Sequence, residues 1–83
     1  MNIYVGNLAY SVNETELQDS FRHYGDVVSV KIVRDRETGQ SKGFGFVEMA
    51  NEAQADKAIE AMNGKKLKGR EVKVNKAFHK KDM

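Results

Sequence analysis

The sequence contains no cysteine and no proline. Without cysteine, a disulfide, a thiolate zinc site and a cysteine nucleophile are all excluded. No apolar run approaches the roughly 18 residues that span a membrane, and no signal-peptide pattern opens the chain. Asn13-Glu14-Thr15 fits a glycosylation sequon, but with no secretory signal the match carries no weight. The expectation is a soluble, cytoplasmic protein with no membrane partner. Phosphate-loop chemistry is missing as well. "GFG" (43–45) lacks the third glycine of a dinucleotide loop, and no Gly-Lys-Ser/Thr follows a glycine-rich turn.

What the chain has in abundance is charge. Charged residues make up 31% of it and hydrophobic residues 40%, near the low end for a globular domain. Its 83 residues suit one small domain with a modest core and no deep active-site cleft. The net charge of +2 says little, but its distribution says more. The two expected helices, 14–24 and 52–62, hold Glu14, Glu16, Asp19, Glu52, Asp56 and Glu60 against Arg22 and Lys57, a net of −4. The rest of the chain therefore carries +6. Acid gathers on the helices, and base on the strands, loops and tail.

"NIYVGNL" (2–8) reads as a short strand ending at a glycine. Asn13 then makes a good N-cap, with Glu16 at the capping-box spacing and Val12 and Leu17 placed for a hydrophobic staple. Leu17, Phe21 and Tyr24 recur on one helical face until Gly25 stops the helix. "VVSVKIV" (27–33) is rich in β-branched residues and reads as a strand. The polar "RDRETGQSK" (34–42) reads as a loop, and "GFGFVEM" (43–49) as the next strand. A second helix follows Asn51, with Gln54 repeating the capping box, Ala55, Ala58, Ile59 and Met62 forming the buried stripe, and Asn63-Gly64 ending it. "LKGREVKVNKA" (67–77) gives a last strand, Val72 and Val74 inward. The order β-α-β-β-α-β predicts an α+β, ferredoxin-like fold: a four-stranded antiparallel sheet with two helices on one face. Residues 1–77 form the domain and 78–83 a short basic tail. The second face of the sheet stays in water.

Strand residues alternate between faces. In "KGFGFVEM" (42–49) one set is Lys42, Phe44, Phe46 and Glu48, and the other is Gly43, Gly45, Val47 and Met49. Burying the phenylalanines would also bury Lys42 and Glu48, which is very costly for unpaired charges. The second set buries at no such cost, and its glycines would let a helix pack close. The phenylalanines therefore belong on the open face. In the first strand Tyr4 shares a side with Asn2 and Gly6, while Ile3 and Val5 face inward. With the first and third strands central, Tyr4, Phe44 and Phe46 form one exposed aromatic patch, the mark of a binding site. Lys31 joins it from the second strand, Arg34 and Arg36 open the adjoining loop, Lys42 closes it, and Lys73 and Lys76 lie along the last strand. Taken singly, Lys31, Arg34, Arg36 and Lys73 are equally consistent with solvated surface charge. Together, aromatics flanked by cations match a platform for single-stranded nucleic acid, bases on rings and phosphates on Lys and Arg.

"KGFGFVEM" resembles the RNP1 motif of the RNA recognition motif family, and "IYVGNL" (3–8) resembles its RNP2 motif. They lie about 40 residues apart on the matching strands, and the resemblance covers residues 2–77. The chain is similar to stand-alone bacterial members, including the cold-induced cyanobacterial type, without their glycine-rich tail. The resemblance implies a base stacked on each of Tyr4 and Phe46, Phe44 inserted between two sugars, Lys42 on a phosphate, and Asn75, Lys76 and Ala77 hydrogen-bonding base edges. Met49 departs from the aromatic usual there, but it faces inward. The implied partner is single-stranded RNA, with single-stranded DNA and a protein-interaction module as alternatives. No enzyme activity, cofactor, metal or small-molecule substrate is expected, and the protein is expected to be a monomer. His23 lies late on the first helix, where the dipole favours it. Phe78 either packs on the sheet edge, stacks a third base or is disordered, and His79 reads as tail.

Overall fold

The computed structural model describes residues 1–77. Strand β1 (Asn2–Gly6), helix α1 (Glu14–Arg22), strands β2 (Val27–Arg34) and β3 (Ser41–Met49) and helix α2 (Glu52–Met62) follow in the expected order. The expected single strand across 67–77 is broken. In its place stand a small hairpin, β4 (Lys66–Leu67) with β5 (Arg70–Glu71), and a closing strand β6 (Lys73–Lys76). The break occurs at Lys68 and Gly69, which both hold left-handed backbone, φ 53° and 84°. Two consecutive positive-φ residues are what a two-residue hairpin turn requires, but Lys-Gly lacks the Asn or Asp that usually signals it. Three side-chain contacts dock this hairpin. Lys68 pairs with Glu16 on α1 at 2.8 Å, Arg70 donates to the Asn7 Oδ1 at 2.7 Å, and the Asn7 amide donates to the Glu71 carbonyl at 2.6 Å. Phe78 and His79 lie outside the described residues.

The main sheet has the order β2-β3-β1-β6, with every neighbouring pair antiparallel. The core forms on its helix side. Ile3, Val5, Val47, Met49 and Val74 of the strands meet Leu17 and Phe21 of α1 and Ala55, Ala58 and Met62 of α2, all buried. Each large apolar side chain of this set contributes about 1.5–3 kcal/mol by leaving water. No helix among the described residues is long and apolar enough to cross a membrane.

The cap of α1 is formed as the sequence indicates. The Asn13 Oδ1 accepts from the Glu16 N–H at 2.8 Å, and the Glu16 carboxylate accepts from the Asn13 N–H at 3.0 Å. Val12 and Leu17 are both buried beneath it. The helix is shorter than the pattern suggests, because after Arg22 the Tyr24 N–H turns back to the Phe21 carbonyl at 3.0 Å. At α2 only half of the second box forms. The Asn51 side chain accepts from the Gln54 N–H at 2.9 Å, but the Gln54 amide oxygen reaches the Asp26 N–H at 3.2 Å instead. Gly25 makes room for this, since a β-carbon there would collide with the Gln54 side chain.

Candidate nucleic-acid interface

β3 and β1 are the two central strands, and their register sets Tyr4 opposite Phe46 and Ile3 opposite Val47. Ile3, Val5, Val47 and Met49 are fully buried on the helix side. Alternation therefore turns Tyr4, Phe44 and Phe46 to the face that no helix of the described residues covers. Their rings form one cluster. Tyr4 lies 5.9 Å from Phe46 and 6.1 Å from Phe44, and the two phenylalanines are 6.3 Å apart. The interplanar angles of 63° and 89° at Phe46 are edge-on contacts, the arrangement that aromatic quadrupoles favour. Tyr4 leans along its own strand: a β-carbon at Gly6 would come within 2.5 Å of the Tyr4 hydroxyl oxygen. Gly6 thus lets the Tyr4 ring lie low against the sheet.

The pairing lays out the open face in rows. One row reads Lys31, Phe46, Tyr4 and Asn75 across the four strands. The next, about 6.8 Å along the strands, reads Ser29, Glu48 and Asn2. In it the Ser29 hydroxyl donates to the Glu48 carboxylate at 3.3 Å. On the opposite side of the aromatic row, Lys73 pairs with Gly6. Lys31, Lys73 and Asn75 are exposed. Lys42 is exposed at the start of β3, and Arg36 is exposed in the β2–β3 connection. That connection is an ordered turn. The Asp35 carboxylate accepts from the backbone N–H groups of Glu37 at 2.8 Å and Thr38 at 3.2 Å. These two bonds, with the positive charge of Lys42 a smaller influence, hold the Asp35 pKa below the usual carboxylate range.

Three of the expected site residues do not join this surface as the sequence suggests. Arg34 pairs with the buried Ser41, and its guanidinium turns to the helix layer and binds Glu14 of α1 at 2.7 Å. Lys76 pairs with the buried Ile3 and so has helix-side parity, although as an edge-strand residue it is exposed. The Ala77 N–H is committed to the Asn2 carbonyl at 2.9 Å, so it cannot serve a base edge while that bond holds.

The glycines of β3 face inward, but no helix presses on them. A β-carbon at Gly45 would run into the Lys31 carbonyl and come within 3.0 Å of the Ile32 Cα, so Gly45 is required by the close approach of β2. Gly43, at φ 86°, sits where β3 takes four steps to two on β2, a bulge of the kind that re-aims a strand. Its carbonyl accepts from the Leu8 N–H at 2.8 Å. Beside it stands Tyr10, 74% exposed, an aromatic that the periodicity arguments passed over because it lies in the β1–α1 loop. Glu48 is the other omission. Its charge signals which way the strand faces, and it also sets an exposed carboxylate one row from Phe46.

Residues 3–73 match the family model of the RNA recognition motif. RbpA of Nostoc sp. is 52% identical over 82 residues, covering 99% of this chain and 80% of that protein. The crystal structure of RNA Binding Protein PG1 superposes with a TM-score of 0.93 at 46% identity, covering 99% of both chains. The Sxl-lethal protein/RNA complex superposes at 0.90 with 32% identity, covering 95% of this chain and 47% of that one. The chain belongs to the RNA recognition motif family.

Proposed function

We propose that residues 1–77 act as one binding unit for single-stranded RNA, using the open face of the sheet. One observation carries this reading: Tyr4, Phe44 and Phe46 cluster as a ring patch in the middle of the sheet face opposite α1 and α2, which no helix of the described residues covers. Bases of any identity stack on such rings, each worth about 1–3 kcal/mol. Tyr4 and Phe46 each carry a base, and Phe44 lies against the sugars between them. Lys31, Lys42, Lys73 and Arg36 surround the patch and take phosphates, while Asn75, opposite Tyr4, reaches a base edge. Arg34, held by Glu14, contributes little.

Family membership and the RNA held by the Sxl-lethal relative support the choice of RNA. Single-stranded DNA is the nearest alternative, because stacking does not sense the 2′-hydroxyl. A lone domain gripping a few nucleotides binds at about micromolar strength, as a monomer and without catalysis. The test is fluorescence anisotropy with a labelled short random RNA, competed by DNA of the same sequence. Saturable binding with weaker DNA competition supports the reading, and no binding at high protein concentration overturns it.

A further inference from the structure

A carboxylate on a surface that receives phosphates needs a reason. Glu48 is exposed on the open face, between Ser29 and Asn2 and one row from Phe46 and Tyr4. Among the described residues the two ion pairs are Arg34–Glu14 and Lys68–Glu16, so neither neutralises it. Among the described residues it accepts a hydrogen bond from the Ser29 hydroxyl, at 3.3 Å to Oε1. That contact draws the carboxylate toward β2, the strand that also carries Lys31, and leaves Oε2 and the remaining lone pairs able to accept.

The row spacing decides what can reach it. Adjacent open-face rows lie about 6.8 Å apart. A base stacked on Phe46 has its ring over that side chain and its hydrogen-bonding edge within reach of the next row. On one side of Phe46, along the same strand, that row presents Glu48. Directly across the pairing stands Lys31. A base at Phe46 is therefore offered an anionic acceptor and a cationic donor.

We infer that Glu48 selects the base stacked on Phe46, favouring guanine and disfavouring uracil. An ionised carboxylate only accepts hydrogen bonds. The guanine Watson–Crick edge places N1–H and N2–H side by side, two parallel donors that match two carboxylate oxygens, and its O6 is an acceptor suited to Lys31. Adenine and cytosine offer one amino donor beside a ring acceptor. Uracil offers one imino donor between two carbonyl oxygens, both repelled by the carboxylate. Bases in single strands are read on these edges once they are splayed onto a platform. A bidentate contact of this kind, exposed to water, gives discrimination of about five- to tenfold.

This inference rests on the stacking role proposed for the open face, and the experiment separates the two. Dissociation constants are measured for a short all-uridine RNA and for the same RNA with a single guanosine or adenosine at its centre, using the wild type and Glu48→Gln. Glu48 is exposed, so the variant keeps the fold, checked by its thermal melt. The wild type is expected to bind the guanosine strand about five- to tenfold tighter than the uridine strand. In Glu48→Gln that ratio should collapse to about twofold or less. Adenosine should gain relative to guanosine, because an amide offers one donor and one acceptor, the complement of adenine. A wild type that binds all three strands equally overturns the inference while leaving the platform intact. So does a guanosine preference that survives in Glu48→Gln, or a uniform tightening for every strand, which would reduce Glu48 to a repeller of phosphate. Failure of the wild type to bind any strand overturns the platform itself.

Discussion

Phe46 is the residue on which the stacking account depends most, and its replacement by alanine has two separable consequences. The first concerns the fold. Phe46 makes edge contacts with Tyr4 at 5.9 Å and with Phe44 at 6.3 Å, each worth about 0.5–1.5 kcal/mol beyond area burial. Losing both costs about 1–3 kcal/mol. A chain of this size has roughly 4–12 kcal/mol of stability at 0.05–0.15 kcal/mol per residue. Phe46→Ala therefore remains folded at 25 °C, with a melting temperature lower by about 4–8 °C for each kcal/mol lost. The second consequence concerns RNA. One stacked base is lost, about 1–3 kcal/mol, or about five- to 150-fold in Kd. Tyr4 also loses the ring that flanks it, so the second base is held less firmly and the effect lies toward the upper part of that range. Calorimetry or anisotropy below the variant's melting temperature measures it. A folded Phe46→Ala whose Kd stays within about twofold of the wild type would refute the stacking role.

Three further predictions address the charges. With three or four phosphate contacts among Lys31, Arg36, Lys42 and Lys73, log K against log salt should slope near −2 to −3, at about −0.7 per contact with a single strand; a flat response would point to a protein partner instead. Lys42→Ala should weaken RNA binding measurably, whereas Arg34→Ala should change it much less, because Arg34 already binds Glu14 on the helix side; equal effects in the same titration would contradict the assigned sides. Glu16, through its hydrogen bond from Lys68 and then that from the Asn13 N–H, and Asp35, through the N–H groups of Glu37 and Thr38, both have lowered pKa values. Their stabilising contribution is complete above their unfolded values of about 3.9–4.3 and is lost as pH falls through the lower folded values. Melting temperature should therefore hold steady down to about pH 5 and fall below about pH 4, with a shallower fall in Asp35→Asn.

How much of this was legible in the sequence depended on whether a residue's position followed from local alternation or from tertiary approach. The facing of β3 was readable because burying Phe44 and Phe46 would have buried Lys42 and Glu48, a penalty that needs no knowledge of the fold. The Asn13–Glu16 cap was readable for the same local reason. Arg34 reads from sequence as the first residue of the loop beside the patch, whereas it closes β2 and its guanidinium is held by Glu14 of α1. The bulge at Gly43, which changes the pairing between Ile32–Gly45 and Arg34–Ser41, is a property of two strands together. Gly45 was correctly placed inward but for the wrong neighbour, since what it accommodates is the β2 backbone and not a helix. The break of the last strand at Lys68-Gly69 depends on a lysine held at positive φ, docked by Glu16, which lies 52 positions earlier in the chain. Nor could sequence show that the Ala77 N–H is taken by Asn2.

The central claim, that RNA lies on the open face across β1 and β3, is tested most directly by NMR titration of the labelled protein with short random and homopolymeric RNAs. The account predicts that the largest shifts fall on Tyr4, Lys31, Lys42, Phe44, Phe46 and Asn75, with the exposed faces of α1 and α2 nearly silent. Shifts confined to the two helices would contradict it and assign this chain to protein recognition instead.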